Sequence, residues 1–394
     1  MKIFDQSISP EELAGYRKDM LARQLAYAAE HSPFYAELLS GVIPGRAELT
    51  DLPFTSAGDV TARGAEMVCV PGSEVQRIVT QRTSGSSGSP KRIYFSAADL
   101  QATVDFFAVG MGYMCSAGDR VLVLMSGNTP DGLGSLVERG LCKLGAEPLI
   151  YGNVTDYGDA VRVCREFLPH TVIGAPATVR RLALCAPELR PANVLLSSDY
   201  VSDAAVGTIR RLWECGVFTH YGLTETCYGC AVECPSHTGM HIRNDEFIIE
   251  IIDPELLIPL PAWQPGEIVI TTLRREAFPL VRYRTGDMGV MIGGSCGCGS
   301  SLPRLGRVFG RIDELKRDLN VYKLDETLLR FDAILDYSAS LHGSELSVLI
   351  ETEDRGVSGK AKAGLEKLFS DVQISVSETQ TGAGAGKRKI DRLV

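Results

Sequence analysis

The sequence predicts an α/β protein: a large N-terminal α/β domain with mixed sheets and a small barrel-like β part, followed by a small C-terminal α+β domain. Three features carry this expectation. Between residues 121 and 216 the apolar runs VLVLMSG, EPLIYG, HTVIGAP and NVLLSSD alternate with helix-compatible stretches, DAVRVCREFL, ATVRRLALCA and DAAVGTIRRLWECG, as parallel strands linked by helices do. From residue 247 to 291 the texture is β throughout (FIIEIID, GEIVITTL, LVRYRTGDMGVMI), with turns at Asp253-Pro254 and Pro265-Gly266, which suggests a small barrel or meander. After Arg311-Ile312-Asp313 the pattern changes to a helix-like stretch (LDETLLRFDAIL), a strand (ELSVLIETE), a helix (GKAKAGLEKLF) and a strand (DVQISVS). That tail spans about eighty residues, near the lower end of domain size. The expected domains are therefore 1–312 and 313–394.

Ahead of this layer, Leu13, Tyr16, Met20, Leu21, Leu25, Tyr27 and Ala28 recur at helical spacing within residues 10–39, predicting packed amphipathic helix. The segment RIVTQRTSGSSGSPKRIYF then places β-rich runs on both sides of a Gly/Ser loop, as a strand, loop, strand unit does.

With 45% apolar and 23% charged residues, 394 residues bury a sizeable core. The formal charge of -9 speaks against nucleic acid or an acidic membrane as partner, since both need a broad cationic face. No apolar run approaches the roughly 20 residues that span a bilayer, and the start lacks the apolar core of a secretion signal, so the cytoplasm is the expected location. Eleven cysteines, an odd number without a signal peptide, argue against a disulfide framework. Two clusters stand out from their scatter: Cys227, Cys230 and Cys234, and Cys296 with Cys298.

Thr83-Ser84-Gly85-Ser86-Ser87-Gly88-Ser89-Pro90-Lys91 combines glycines that let the main chain curl around an anion with hydroxyls and amides that donate to phosphate oxygens, and ends on a lysine. A Gly/Ser loop is as often a linker or turn, but flanking strands and a set residue order favour a nucleotide clasp. The loop lacks the Lys-Ser/Thr pair of G-x-x-x-x-G-K-[ST], which disfavours a P-loop NTPase.

Ser84 through Lys91 match position by position the Ser/Thr/Gly-rich signature of the adenylate-forming enzymes, and the chain resembles that superfamily. The resemblance implies that Thr83, Ser84, Gly85, Ser86, Ser87, Gly88 and Lys91 hold ATP phosphates. Tyr221-Gly222-Leu223-Thr224-Glu225 looks like the family's Y-G-x-T-E motif, which implies Tyr221 and Gly222 against adenine, Thr224 on the α-phosphate and Glu225 on Mg²⁺. A hard divalent cation prefers carboxylate oxygen and offsets charge as pyrophosphate leaves. Tyr283-Arg284-Thr285-Gly286-Asp287 resembles the motif whose aspartate, here Asp287, accepts both ribose hydroxyls; a carboxylate accepts twice in one plane. Gly310-Arg311-Ile312-Asp313-Glu314 is similar to the hinge signature, with Asp313 as pivot and Arg311 near the nucleotide. Gly386-Lys387 is similar to the C-terminal motif whose lysine bridges substrate carboxylate and α-phosphate, with Lys389 as the competing choice. Ser198 and Asp199, with Gly174-Ala175-Pro176, fall where the family lines its adenine and acyl pockets. Each motif alone is an ordinary turn or a solvated basic tail; five in order make coincidence a poor explanation.

PFYAELL, LPFTSAGDV, CPSHTGMHIRNDEFIIEIID, FPLVRYRTGD and the CGCG before LPRLGR resemble the branch of phenylacetate-CoA ligase and its coenzyme F390 synthetase-like relatives. The resemblance implies a mobile C-terminal lid and activation of a small carboxylic acid, aryl or otherwise modestly apolar, by ATP, with CoA as second substrate. Relatives commonly dimerise, so a homodimer stays open. Cys234, His241, Cys296 and Cys298 offer three thiolates and an imidazole, a structural zinc pattern that members of the branch share. His237, Cys227 and Cys230 compete as ligands, and unliganded buried thiols are the alternative.

Two departures concern the second substrate: Asp318 replaces the glycine of an R-G-V-N-V-like segment, and TGAGAG replaces the usual lead-in to the terminal lysine. An amine, hydroxyl or carrier-thiol acceptor, or a nucleotide-binding homologue without catalysis, are the alternatives. Phe106, Phe107, Met111 and Tyr113 could line an acyl pocket, although at helical spacing they are more often core.

Overall fold

A computed structural model describes residues 8–81, 90–127, 129–354, 356–380 and 388–393, and bears out the mixed α/β class. The chain divides into two compact units, the first formed by residues 1–118, 127–147 and 220–309 and the second by residues 119–126, 148–219 and 310–394. Among the described residues no helix is long and apolar enough to cross a membrane.

In the first unit, helix Pro10–His31 starts on a reciprocal cap: Ser9 Oγ accepts the Glu12 N–H (3.2 Å) and the Glu12 carboxylate accepts the Ser9 N–H (2.8 Å). The helical stretch expected over residues 10–39 breaks at Pro33, which has no N–H to continue a helix and instead opens a second one, Pro33–Leu38, capped by Ser32. The Gly/Ser loop is flanked, as expected, by antiparallel strands Val75–Gln81 and Lys91–Ser96. The β-rich region forms a meander rather than a closed barrel. Strands Phe247–Ile252, Pro265–Thr272, Tyr283–Ile292 and Arg304–Arg311 neighbour one another in chain order, and Met240–Ile242 and Ala231–Glu233 follow beyond them. Phe247, Ile249, Ile251, Ile268, Ile270 and Leu305 form its core.

The second unit contains the parallel layer. Strands Arg120–Leu124, Thr171–Gly174 and Asn193–Leu196 run parallel, and the first four residues of strand Gly216–Tyr221 join them. Helices Tyr157–Phe167, Pro176–Cys185 and Asp203–Trp213 cover the strands with Val179, Leu182, Ile209 and Trp213. Strands buried on both faces carry unbroken apolar runs, which is why they were legible.

Residues from 310 onward add a four-stranded sheet in the order Gln373–Thr379, Glu345–Thr352, Ile334–His342, Ile390–Leu393, with helices Val321–Leu328 and Val357–Glu366. Strand Ile334–His342 was not expected from ILDYSASLH, whose serines and aspartate are poor strand formers. Its register comes from pairing with Glu345–Thr352 across a turn in which Gly343 takes φ +57°. Within this unit Arg180, fully buried, donates to the carbonyls of Leu329 (3.1 Å), Phe331 (2.9 Å) and Ile334 (2.8 Å), and burial pulls its pKa down to about 10. Arg181 reinforces the attachment through Glu351.

Candidate active site

In the first unit, strand Gly216–Tyr221 ends at Tyr221 and the chain turns sharply. Gly222 is required there, because a Cβ would lie 2.0 Å from the Tyr228 carbonyl oxygen. The turn is bound to itself: the Thr226 hydroxyl accepts the Leu223 N–H (2.9 Å), and the Tyr228 N–H reaches the Leu223 carbonyl (2.8 Å). Cys227 and Tyr228 sit at φ +53° and +68°, a conformation that side chains other than glycine rarely adopt. The surroundings brace it from outside, since Thr103 donates to the Cys227 carbonyl (3.0 Å) and the buried Arg275 to that of Thr226 (3.3 Å).

This turn presents Glu225, 5% exposed, to two donors, the Lys91 ammonium and the Tyr283 hydroxyl (2.8 Å). Thr224 accepts from Gln81, the last described residue before the Gly/Ser loop. Tyr221 donates to Asp287 Oδ2 at 2.9 Å, and burial, with the neighbouring carboxylate adding to it, drives the Tyr221 phenol well above its usual pKa. Asp287 is held by Thr285, whose hydroxyl accepts the Asp287 N–H (3.1 Å) and donates to the Ile268 carbonyl (2.7 Å). Gly286 takes φ +72°, and its N–H goes to Glu267, which also pairs with Arg284 (2.6 Å). The arrangement therefore brings Lys91, Tyr221, Gly222, Thr224, Glu225 and Asp287 together on adjoining elements. Sequence reasoning missed Tyr283, Gln81 and Arg275. Tyr283 stood inside a recognised motif, but no local pattern announced its partner.

Other expected residues belong to the second unit. The Ser197 N–H reaches the Gly174 carbonyl (3.1 Å), so the turns after two parallel strands lie side by side. Ser198 sits at φ +73°, and Asp199 accepts the Tyr200 N–H (2.9 Å). Arg311 gives its N–H to the Tyr322 hydroxyl (2.8 Å), and Gly310, at φ +124°, leaves no room for a side chain, since a Cβ there would lie 2.2 Å from the Tyr322 ring. Thr83, Ser84, Gly85, Ser86, Ser87, Gly88 and Lys387 lie outside the described residues.

Cys234, His241, Cys296 and Cys298, all in the first unit, place their ligand atoms within 4.8 Å of one another. Cys234 and Cys296 sulfurs are 3.6 Å apart, and Cys298 Sγ is 3.3 Å from His241 Nε2. Burial raises the Cys296 thiol, but hydrogen bonds from the Cys298 amide, Thr238, Cys298 and Cys234 more than offset it and hold its pKa down to about 5. The competing candidates fall outside the group: His237 faces Glu233 (3.6 Å), and Cys227 and Cys230 are buried thiols, burial pushing Cys227 up to about 11 and Cys230 higher still.

Buried carboxylates at Glu225 and Asp287, with Lys91 donating to Glu225, make an anionic site of the kind a nucleotide-dependent enzyme needs, and residues 46–273 match the model of the AMP-binding enzyme family. That match covers more than half of the chain, which belongs to this family. It is similar to a phenylacetate-coenzyme A ligase of Thermus thermophilus, 29% identical over 87% of this chain and 82% of the relative. A phenylacetate-coenzyme A ligase of Pseudomonas putida is 27% identical over 92% and 87% of the two chains. Among solved structures, 2-hydroxyisobutyryl-CoA ligase with 2-HIB-AMP, in the postadenylation state, superposes with a TM-score of 0.83 at 20% identity, covering 98% of this chain and 91% of that one, and shows the shared fold.

Proposed function

We propose that this enzyme activates a small carboxylic acid with ATP, releasing pyrophosphate and forming an acyl-adenylate, and then transfers the acyl group to CoA. The observation that carries the proposal is the convergence of Glu225, Asp287, Tyr221 and Lys91 in a chain of the AMP-binding family. Relatives named phenylacetate-coenzyme A ligases support CoA as acceptor and an aryl or modestly apolar acid as substrate.

In this proposal the loop from Thr83 to Gly88 and Lys91 hold phosphates, Tyr221, Gly222, Ser198 and Asp199 line the adenine, and Asp287 takes the ribose hydroxyls. The acid oxygen forms its bond to the α-phosphorus as the bond to the pyrophosphate oxygen breaks. Lys387 meets the charge developing between the two, and positioning with charge neutralisation supplies the rate. Mg²⁺ would be held by Glu225, whose carboxylate suits a hard cation, and would offset phosphate charge. The Cys234, His241, Cys296, Cys298 quartet has the softness and four-fold count of a structural zinc site, and zinc there would tie two loops together without taking part in chemistry. Asp313 is the proposed pivot between domains 1–312 and 313–394, and Arg311 approaches the nucleotide. The cytoplasm is the proposed location.

The test is a screen of carboxylic acids for pyrophosphate release, with and without CoA. Acid-dependent release followed by CoA thioester is the expected result. Release without thioester would transfer the acyl group to another acceptor, the outcome that Asp318 in place of glycine favours. No release with any acid would remove catalysis from the proposal.

A further inference from the structure

Two stretches of this chain share a spacing: a tyrosine followed four residues later by a carboxylate, Tyr221 with Glu225 and Tyr283 with Asp287. In the first unit the partners are exchanged. The Tyr221 hydroxyl donates to Asp287 Oδ2 (2.9 Å), and the Tyr283 hydroxyl donates to Glu225 Oε1 (2.8 Å). All four side chains are buried, with exposures of 7%, 6%, 1% and 5% for Tyr221, Asp287, Tyr283 and Glu225. The two hydrogen bonds tie the turn after strand Gly216–Tyr221 to strand Tyr283–Ile292, each carboxylate being held by the tyrosine of the other motif. Lys91 also donates to Glu225 Oε1. Both donors take the same oxygen, and Oε2 receives no hydrogen bond from the described residues.

We propose that Tyr283 is a positioning residue for the Glu225 carboxylate: its hydroxyl pins Oε1 and leaves Oε2 as the cation-facing oxygen, while the Tyr221 hydroxyl does the equivalent for Asp287 and the nucleotide sugar. The chemistry fits. A carboxylate carries two oxygens with about four lone-pair sites, so one can be spent on a neutral donor while the other serves a ligand. A buried hydroxyl bonded to an ionised oxygen holds orientation strongly, because the interaction is charge-assisted and poorly screened. The proposal rests on the assignment of Glu225 to the cation and Asp287 to the ribose.

The experiment measures Mn²⁺ uptake by the protein–ATP complex without acid, using electron paramagnetic resonance, alongside ATP affinity by calorimetry. Tyr283→Phe keeps the ring and removes only the hydroxyl. It should weaken Mn²⁺ binding roughly tenfold, the size of one hydrogen bond to a charged group. ATP affinity without metal should stay near wild type. Tyr221→Phe should do the reverse, weakening ATP and flattening the preference for ATP over its 2′-deoxy analogue while leaving Mn²⁺ affinity unchanged. In a Glu225→Gln background, Tyr283→Phe should have no further effect on Mn²⁺, because it acts through the carboxylate. Wild-type Mn²⁺ affinity in Tyr283→Phe, or an equal loss in the Glu225→Gln background, overturns the proposal. If the wild-type complex binds ATP and takes up no Mn²⁺, the cation role of Glu225 falls and the inference with it. If the wild type binds no ATP at all, the wider functional proposal fails first.

Discussion

Lys387 and Lys389 are two residues apart near the end of the chain, and only one is expected to matter. Lys389 pairs with Asp391 at 2.8 Å, both well exposed, so Lys389→Ala should leave the rate within about twofold, as for a surface ion pair. Lys387→Ala removes the cation proposed to meet charge in the transition state. Acid-dependent pyrophosphate release should fall by roughly a hundredfold or more, while ATP affinity by calorimetry stays within about threefold. Turnover retained by Lys387→Ala would take that residue out of the mechanism. Single residues were legible in the sequence where a motif set their spacing: Glu225 and Asp287 each stand at a set distance from a tyrosine. Their donors were not, because Lys91 lies 134 residues from Glu225 and Tyr283 lies 58 residues from it. Hydrogen bonds at such separations leave no periodic trace.

Elements were legible in proportion to how uniformly they are buried. Strands Thr171–Gly174 and Asn193–Leu196 announced themselves as apolar runs because almost every residue in them is buried, whereas strand Ile334–His342 depends on its partner for register. The same dependence holds for the turn that carries Cys296 and Cys298, where the Cys296 N–H goes to the Ser300 carbonyl (2.7 Å) and the residues around Cys296, from 293 to 299, are exposed or only partly buried. Metal binding would supply what packing does not, since ligation energy becomes folding energy when the unfolded chain has no site. Purified protein is therefore expected to contain one zinc per chain by plasma mass spectrometry. Cys298→Ser should lose it and melt roughly 5 °C or more below wild type, a change of a few kcal/mol. Metal-free wild-type protein with a melting temperature equal to that of Cys298→Ser would return the quartet to buried thiols.

Across the whole molecule, two buried titrating groups bend stability in opposite directions with pH. Burial lowers the His220 pKa to about 4. As pH falls from the ordinary histidine range of about 6.5 toward 4, the unfolded chain binds a proton that folded His220 refuses, so this group weakens the fold at low pH. Asp325 runs the other way. Burial raises its carboxyl to about 6, against attraction from Arg388 and a hydrogen bond from Tyr337, with Asp199 and Asp336 adding repulsion. Arg388 is already satisfied by Asp336 at 2.8 Å and stands 3.3 Å from Asp325, which leaves Asp325 as the surplus carboxylate. Between pH 4 and 6 the unfolded Asp325 has released a proton that the folded one retains, so its contribution declines as pH rises. Asp325→Asn mimics the protonated form at every pH. Relative to wild type it should be near neutral at pH 4 and gain on the order of 2–3 kcal/mol by pH 7, read from denaturant midpoints along the series. The opposite trend, with Asp325→Asn losing ground as pH rises, would mean that attraction to Arg388 outweighs burial and that the pair stabilises this part of the fold.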